Sequence, residues 1–312
     1  MKHITWLTML IAAAMIAPSV AEPLPATTSG PSPVMSADGL AMHRNMEYAK
    51  VDGNVSLLLD LYVPKSDKPL PLVVWIHGGA WQIGNKDNCP AMAMTHRGYA
   101  AASINYRLCQ QAVFPAQIHD CKGAIRFLRA HAEKYNLDPN RIGVWGASAG
   151  GHLVALLGTT KGNKELEGTV GGNERVSSEV QAVCDFFGPT DFITFADANL
   201  PAAEAPSSPL TRLLGGPVSK NRDLAAQASP ITHVSNKAAP FLIMHGDKDN
   251  TVPVQQSQAF HKALQAAGAD STLKIIPGAG HGFGGADIGV AVALFFDKHL
   301  KPVAAASRPA NH

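Results

Sequence analysis

The sequence predicts an α/β domain: a doubly wound, mostly parallel sheet with helices on both faces. Three observations indicate this class. Some short runs are almost wholly apolar, as in strands buried on both sides. Other stretches repeat apolar residues every three or four positions, as in amphipathic helices, and the two kinds alternate along the chain. A chain of 312 residues, 46% of them hydrophobic, is long enough to bury one large core.

Charge excludes one class of partner. The chain has 26 basic and 24 acidic side chains, a net charge of +2. This balance is too slight for a nucleic-acid footprint or a polybasic membrane anchor. We therefore expect no nucleic-acid partner.

The first 21 residues are typical of a secretory signal peptide. Lys2 precedes an apolar run over 4–17, and the segment ends in small residues at Ala21. The run is shorter than the roughly 20 residues that a helix needs to span a bilayer. We expect cleavage after Ala21, a secreted or periplasmic protein, and no stable insertion into a membrane.

Proline content sets the next boundary. Residues 22–40 form a Pro-rich linker, because alternating prolines suit an extended chain and not a packed helix. A single folded domain is expected over 41–303, and 304–312 form a C-terminal tail.

Strands and helices alternate through this domain. Strands are predicted at 57–63, 70–76, 99–106, 141–145, 180–187, 240–245 and 272–276. Helices are predicted at 115–135, 149–157, 254–267 and 286–300. Residues 190–239 break the rhythm with many prolines, and the stretch is too long for a simple connection. It is therefore predicted to be an insert that caps or lines a functional edge.

A Gly-x-Ser-x-Gly pentapeptide at 146–150 carries the first chemical signal. It lies directly after a predicted strand and directly before a helix, so Ser148 is expected on a tight turn at a helix N-terminus. Such a turn leaves no room for side chains two positions before and after the serine, which accounts for Gly146 and Gly150. Alone the pentapeptide could be a chance loop, but its context favours Ser148 as a nucleophile.

A serine nucleophile requires a base and an acid to orient the base. His281 follows the last predicted strand in a glycine-rich loop, and the chain order serine, acid, histidine favours it as the base. Asp249, past the end of the strand at 240–245, is the preferred acid. Asp247 is the alternative, and we expect it to fix the loop by local hydrogen bonds.

Backbone donors for an oxyanion are expected after the strand at 70–76. The N–H groups of Gly79 and Ala80, together with that of Ala149, are the candidates. His77 is expected to brace this loop. Trp81 either lines the substrate pocket or packs in the core.

Export makes the four cysteines candidates for pairing. A disulfide from Cys89 to Cys109 or Cys121 is plausible, whereas Cys184 lies in an apolar run and is expected to be a buried thiol. Their spacing matches no zinc pattern, so no metal is expected. A Gly-x-Gly-x-x-Gly match at 280–285 has no strand–helix–strand unit after it, so no dinucleotide cofactor is expected either.

These residues together resemble the α/β-hydrolase fold esterases. The segments that carry the resemblance are His-Gly-Gly-Ala-Trp at 77–81, Gly-Ala-Ser-Ala-Gly-Gly at 146–151, His-Gly-Asp-Lys-Asp-Asn-Thr-Val-Pro at 245–253 and Gly-His-Gly-Phe at 280–283. Within that fold the chain is similar to the feruloyl and acetyl-xylan esterase-like (BD-FAE-like) group. The resemblance implies an eight-stranded sheet, Ser148, Asp249 and His281 as catalytic triad, and Gly79, Ala80 and Ala149 as oxyanion hole.

The expected function is an exported serine carboxylesterase without a cofactor. It would hydrolyse short-chain or aromatic acyl esters, small-molecule or carbohydrate-linked. Two alternatives stay open: an arylformamidase-like hydrolase of N-formyl amides, which resembles the chain through His-Gly-Gly-x-Trp, and a binding protein that keeps the fold without catalysis.

Overall fold

The computed structural model describes residues 33–37, 39–198 and 200–301. The predicted signal peptide, most of the predicted linker and the predicted C-terminal tail lie outside the described residues.

Within those residues one sheet of nine strands runs through the protein, in the order β1-β2-β3-β5-β4-β6-β7-β8-β9. The strands are β1 Val34–Met35, β2 Ala41–Val51, β3 Val55–Val63, β4 Leu70–Ile76, β5 Ala100–Ile104, β6 Leu137–Ala147, β7 Ala182–Phe186, β8 Phe241–Gly246 and β9 Ser271–Ile276. Pairing is antiparallel from β1 to β5 and parallel from β5 to β9. The sheet is therefore mostly parallel, as predicted.

The expectation of eight strands is wrong for this chain. The ninth strand is β1, a two-residue edge that pairs Val34 with Met42 and lies inside the segment predicted to be a linker. The neighbouring β2 was also not predicted. It lacks apolar alternation because only two of its residues are buried and two register shifts interrupt its pairing with β3.

Helices cover both faces of the sheet. They are α1 Ala116–Ala130, α2 Ala149–Thr159, α3 Lys164–Glu167, α4 Phe192–Asp197, α5 Leu200–Glu204, α6 Pro209–Leu214, α7 Arg222–Ala228, α8 Gln255–Ala266 and α9 Ala286–Leu300. Apolar side chains of α1, α2 and α8 pack on one face, and those of α9 pack on the other. The insert at 190–239 is a series of short helices, α4 to α7, with 3₁₀ turns between and after them.

β4 shows why the core has two halves. All seven of its residues are buried. Leu72, Val74 and Ile76 point into the core on the α1 and α2 face, while Val73 and Trp75 point into the core on the α9 face. The prediction of a strand buried on both sides is confirmed, and the loops that follow β4, β6, β8 and β9 leave the sheet at one edge.

The predicted disulfide is absent, and all four cysteines are free thiols. The sheet separates Cys89 from Cys121, because the first packs with the core on the α9 face and the second lies in the core on the α1 face. The Cys109 thiol instead faces the side-chain oxygen of Gln110 at 3.8 Å. Cys184 is buried, as predicted.

Candidate active site

Ser148 lies on a strained turn between β6 and α2. Its backbone has φ 56° and ψ −120°, values that a residue with a side chain rarely adopts. The Ser148 N–H donates to the carbonyl of Phe186 at 2.8 Å, which ties the turn to the end of β7. The hydroxyl is therefore presented at the start of a helix, where backbone N–H groups lack intrahelical partners.

The glycines around Ser148 are required by packing. A Cβ atom on Gly146 would lie 2.4 Å from the Gly150 carbonyl oxygen, and one on Gly150 would lie 2.0 Å from the Ile76 carbonyl oxygen. Both distances are too short for any side chain, so the predicted reason for these two glycines is confirmed.

Ser148, His281 and Asp249 form a continuous hydrogen-bonded chain. Ser148 Oγ lies 2.9 Å from His281 Nε2, and His281 Nδ1 lies 2.7 Å from Asp249 Oδ2. The imidazole is 22% exposed, whereas the carboxylate is fully buried. Because Nδ1 must donate to the carboxylate, Nε2 of a neutral imidazole is free to accept the serine proton.

The Asp249 carboxylate is held at both oxygens. Oδ1 accepts hydrogen bonds from the N–H groups of Thr251 at 2.8 Å and Val252 at 2.9 Å, and Oδ2 accepts from His281. Burial raises the pKa of Asp249, but these hydrogen bonds outweigh burial and hold the pKa below its ordinary value. The group is thus an anion at neutral pH.

Other aspartates near the site have different partners. Asp247 is exposed, and its Oδ1 accepts from the Gly278 N–H at 2.7 Å, so it joins the loop after β8 to the loop that carries His281. Asp185, buried at the end of β7, accepts from Gly188 N–H, and burial raises its pKa to about 7. Asp191 caps the N-terminus of α4.

The loop after β4 has an unusual backbone. Gly79, Ala80 and Trp81 all have positive φ, at 107°, 54° and 58°. Among the residues that the structure describes, neither the Gly79 nor the Ala80 N–H donates to a protein acceptor. Ala80 and Ala149 line the same cavity as Ser148, but Gly79 does not. Gly79 instead lies close to the Ile83 carbonyl, which a Cβ on it would approach to 2.2 Å.

Trp81 anchors this loop to α2 and to the insert. Its indole N–H donates to His152 Nδ1 at 3.2 Å, and His152 Nε2 donates to the Ala228 carbonyl at 2.7 Å. The His152 ring also stacks on Phe192 with ring centres 4.7 Å apart. Burial lowers the pKa of His152 to about 4, so the ring is neutral and can accept and donate at once. Trp81 both lines the cavity and packs in the core.

His77 lies behind the loop and does not line the cavity. Its ring stacks on Tyr106 with centres 4.4 Å apart, and its Nδ1 donates to the Gly78 carbonyl at 2.7 Å. Tyr106 in turn donates to the His77 carbonyl at 3.0 Å. Burial lowers the pKa of His77. These contacts give His77 a bracing position.

Ser148 opens into an apolar cavity of about 310 Å³. Trp81 and Ala149 form part of its wall, and the insert contributes much of the rest through Phe195, Ala203 and Leu210. None of the described residues that line it is charged. The predicted lining role of the insert is thus seen in these three side chains.

Two kinds of feature are absent from the described part of the chain. There, no group of three or more His, Cys, Asp or Glu side chains is arranged to hold a metal ion. No helix in the same residues combines the length and apolarity needed to cross a bilayer.

Sequence reasoning did not single out three residues that contact this site. His245 lies 3.2 Å from the Asp249 carboxylate, His152 accepts from Trp81, and the Phe187 ring packs 4.7 Å from that of His281. A histidine that ends a fully apolar strand, as His245 does, is the one signal in the sequence that could have found any of them.

Comparison with known proteins identifies the family of this chain. The model of the BD-FAE family matches residues 59–264, more than half of the chain. This chain belongs to the BD-FAE family. A carbohydrate esterase from gut microbiota, solved in truncated form, superposes with a TM-score of 0.76 at 34% identity, covering 85% of this chain and 98% of that one. The α/β-hydrolase fold expected from the sequence is therefore confirmed.

Two curated relatives of this BD-FAE chain come from Mycobacterium tuberculosis. A probable carboxylic ester hydrolase, LipM, is 36% identical over 62% of this chain and 45% of its own length. Esterase LipC is 33% identical over 77% of this chain and 62% of its own length. The chain thus spans roughly half of the length of the relatives that it matches.

Proposed function

We propose that this BD-FAE chain is a serine esterase that hydrolyses carboxylic esters through Ser148, His281 and Asp249. The observation that carries the proposal is the hydrogen-bonded chain from Ser148 Oγ through His281 to Asp249, at 2.9 and 2.7 Å, opening on an apolar cavity. The names of the relatives, a carboxylic ester hydrolase and two esterases, support the same reaction.

Acylation begins at Ser148. Its Oγ attacks the ester carbonyl carbon while His281 Nε2 takes the hydroxyl proton. The carbonyl oxygen becomes an oxyanion, which the N–H groups of Ala80 and Ala149 stabilise in the cavity wall, with Gly79 N–H as a third candidate. Collapse of the intermediate breaks the bond to the alcohol oxygen, and His281 returns the proton to the leaving alcohol.

Deacylation repeats these steps with water. His281 takes a proton from a water molecule, whose oxygen attacks the acyl carbon bound to Ser148. The second intermediate releases the carboxylic acid, and the proton returns to Ser148 Oγ. Asp249 remains ionised throughout and stabilises the imidazolium that forms twice in each cycle.

The cavity favours a small, neutral acyl group. Its volume of about 310 Å³ is at the lower end of the range for ligand pockets, and its described lining carries no charge. An acetyl, other short-chain or single-ring aromatic acyl group fits these conditions. The superposed carbohydrate esterase supports a carbohydrate-linked alcohol, acetylated or feruloylated.

A substrate panel tests the proposal. Acetylated xylan, methyl ferulate, N-formylkynurenine and p-nitrophenyl acetate are offered to the purified wild-type protein and to Ser148→Ala. We expect ester hydrolysis by the wild type and a loss of about 10⁵-fold or more in kcat for Ser148→Ala. Hydrolysis of the formyl amide alone would favour an arylformamidase, and hydrolysis of none would favour a binding protein.

Export is part of the proposal. Its support is the apolar run over 4–17 and the small residues before the expected cleavage site at Ala21. Expression of the full chain in a Gram-negative host should yield active protein in the periplasmic or culture fraction, with Glu22 as the first residue. An uncleaved N-terminus in the cytoplasmic fraction would overturn this part.

A further inference from the structure

His245, the last residue but one of β8, is fully buried, and both of its ring nitrogens contact polar atoms. Its Nδ1 lies 2.7 Å from Ser257 Oγ on α8. Its Nε2 lies 2.8 Å from the Val252 carbonyl oxygen and 3.2 Å from Asp249 Oδ2. The ring therefore reaches the carboxylate from a direction other than that of His281.

These contacts fix where the His245 proton sits. A carbonyl oxygen only accepts, so Nε2 carries the hydrogen and donates it to Val252, while Asp249 Oδ2 lies 3.2 Å from the same nitrogen. Nδ1 is then an acceptor and receives the Ser257 hydroxyl hydrogen. Burial lowers the pKa of His245, which keeps the ring in this neutral form.

The Asp249 carboxylate therefore contacts two imidazoles and two backbone amides. Thr251 and Val252 N–H donate to Oδ1, His281 donates to Oδ2, and His245 Nε2 lies 3.2 Å from Oδ2. Loss of the His245 contact would leave Oδ2 with His281 alone, and Asp249 could rotate away from the line to His281 Nδ1.

We infer that His245 is a positioning residue that holds Asp249 Oδ2 against His281. It makes no hydrogen bond to Ser148 and does not itself line the cavity, although the Val252 that it contacts does, so it acts through Asp249. The inference rests on the proposed function, because it assigns a task within the same hydrolytic site.

The chain offers a matched control in His261. This histidine of α8 makes the same kind of bond, from Nδ1 to Ser271 Oγ at 2.8 Å, and burial lowers its pKa too. It makes no hydrogen bond to a residue of the candidate triad. Replacing His261 thus removes a histidine–serine bond without disturbing Asp249.

The experiment compares His245→Met, His245→Gln and His261→Met with p-nitrophenyl acetate as substrate, alongside urea unfolding of each protein. We expect His245→Met to lower kcat about tenfold or more, with KM within about twofold. Glutamine offers an N–H towards Asp249 and an oxygen towards Ser257, so His245→Gln should recover much of the loss. His261→Met should keep wild-type kcat.

Two results would overturn the inference. One is a His245→Met protein that urea unfolding shows to be folded and that has the same kcat as His261→Met. The other is an equal loss of kcat in His245→Met and His245→Gln, which would show that His245 acts only through packing. Both differ from failure of the proposed function, in which the wild type itself would not hydrolyse the ester or Ser148→Ala would keep its activity.

Discussion

Two groups of residues flank Ser148. Asp249 and His281 lie in the loops after β8 and β9, which we call the His281 side. The candidate backbone donors Ala80 and Ala149 lie in the loop after β4 and at the start of α2, which we call the donor side. The two sides differ in how much room surrounds the backbone. A Cβ on Gly282, next to His281, would meet nothing within 4 Å, whereas a Cβ on Gly150 would lie 2.0 Å from a carbonyl oxygen. The imidazole is partly exposed, while Trp81 on the donor side is buried.

The difference indicates two ways of holding a candidate catalytic group in place. The donor side is held by close packing and by the buried bond from Trp81 to His152. The His281 side is held by hydrogen bonds, chiefly from His281 to Asp249 and from the Gly278 N–H to Asp247. We therefore expect the His281 loop to tolerate added volume at Gly280 but not lost polar partners, and the donor side to tolerate neither.

Removing polar groups on the His281 side should have the largest effect. We expect His281→Ala to lower kcat for p-nitrophenyl acetate by about 10⁵-fold and Asp249→Asn by about 10⁴-fold. Asp247→Asn, the control, should stay within about threefold, since its carboxylate contacts a loop amide and not the imidazole. If Asp247→Asn were the damaging change and Asp249→Asn harmless, the acid would have to be reassigned.

Glycine-to-alanine substitutions, which add a methyl group, should have the next largest effect and should distinguish the two sides. Gly150→Ala forces β4 and α2 apart, and we expect it to cost about 3 kcal/mol of folding free energy and about 100-fold in kcat. The matched change Gly280→Ala, beside His281, finds its nearest neighbour 3.8 Å away and should keep kcat within about threefold. Urea unfolding and steady-state kinetics measure both, and equal damage from the two changes would contradict the contrast.

A subtler change probes the anchor of the donor side. Trp81→Phe keeps an aromatic ring but removes the N–H that bonds to His152. A buried acceptor is then unpaired, which should cost about 1–3 kcal/mol of stability, and the looser loop should lower kcat about tenfold. A destabilised protein with unchanged kcat would show that this bond does not position the backbone donors.

Low pH should destabilise the protein through His152, the partner of Trp81. Folded His152 has a pKa of about 4, while in the unfolded chain it binds a proton near its ordinary value of 6.5. As the pH falls from 6.5 to 4 the unfolded state takes up that proton first, so this group removes roughly 3 kcal/mol of the free energy of unfolding. His152→Gln should lose less stability than the wild type across that window in urea unfolding. Parallel pH profiles would contradict this effect.

Much of the fold and candidate site follows from local pattern. β4 is apolar because it is buried on both faces, and that run is visible in the sequence. Gly146 and Gly150 flank Ser148 because backbone crowds them, which a pentapeptide between a strand and a helix already suggests. The chain order of serine, acid and base follows the order of β6, β8 and β9.

The remainder depends on contacts between distant segments. β2 was missed because an exposed strand with two register shifts has no clear alternation. His152 gave little signal, since its partner Trp81 is 71 residues away in the chain. Neither partner suggested for Cys89, Cys109 or Cys121, forms a disulfide with it, and for Cys121 the reason is that sequence spacing does not tell on which face of the sheet a thiol lies.

Covalent labelling tests the central claim most directly. Diethyl p-nitrophenyl phosphate transfers its diethylphosphoryl group to an activated serine oxygen and releases p-nitrophenolate. We predict one such group per chain, on the peptide that contains Ser148, with complete loss of esterase activity, and labelling slowed about 10³-fold or more in His281→Ala. Stoichiometric label on another residue, or full activity in a protein labelled at Ser148, would contradict the account.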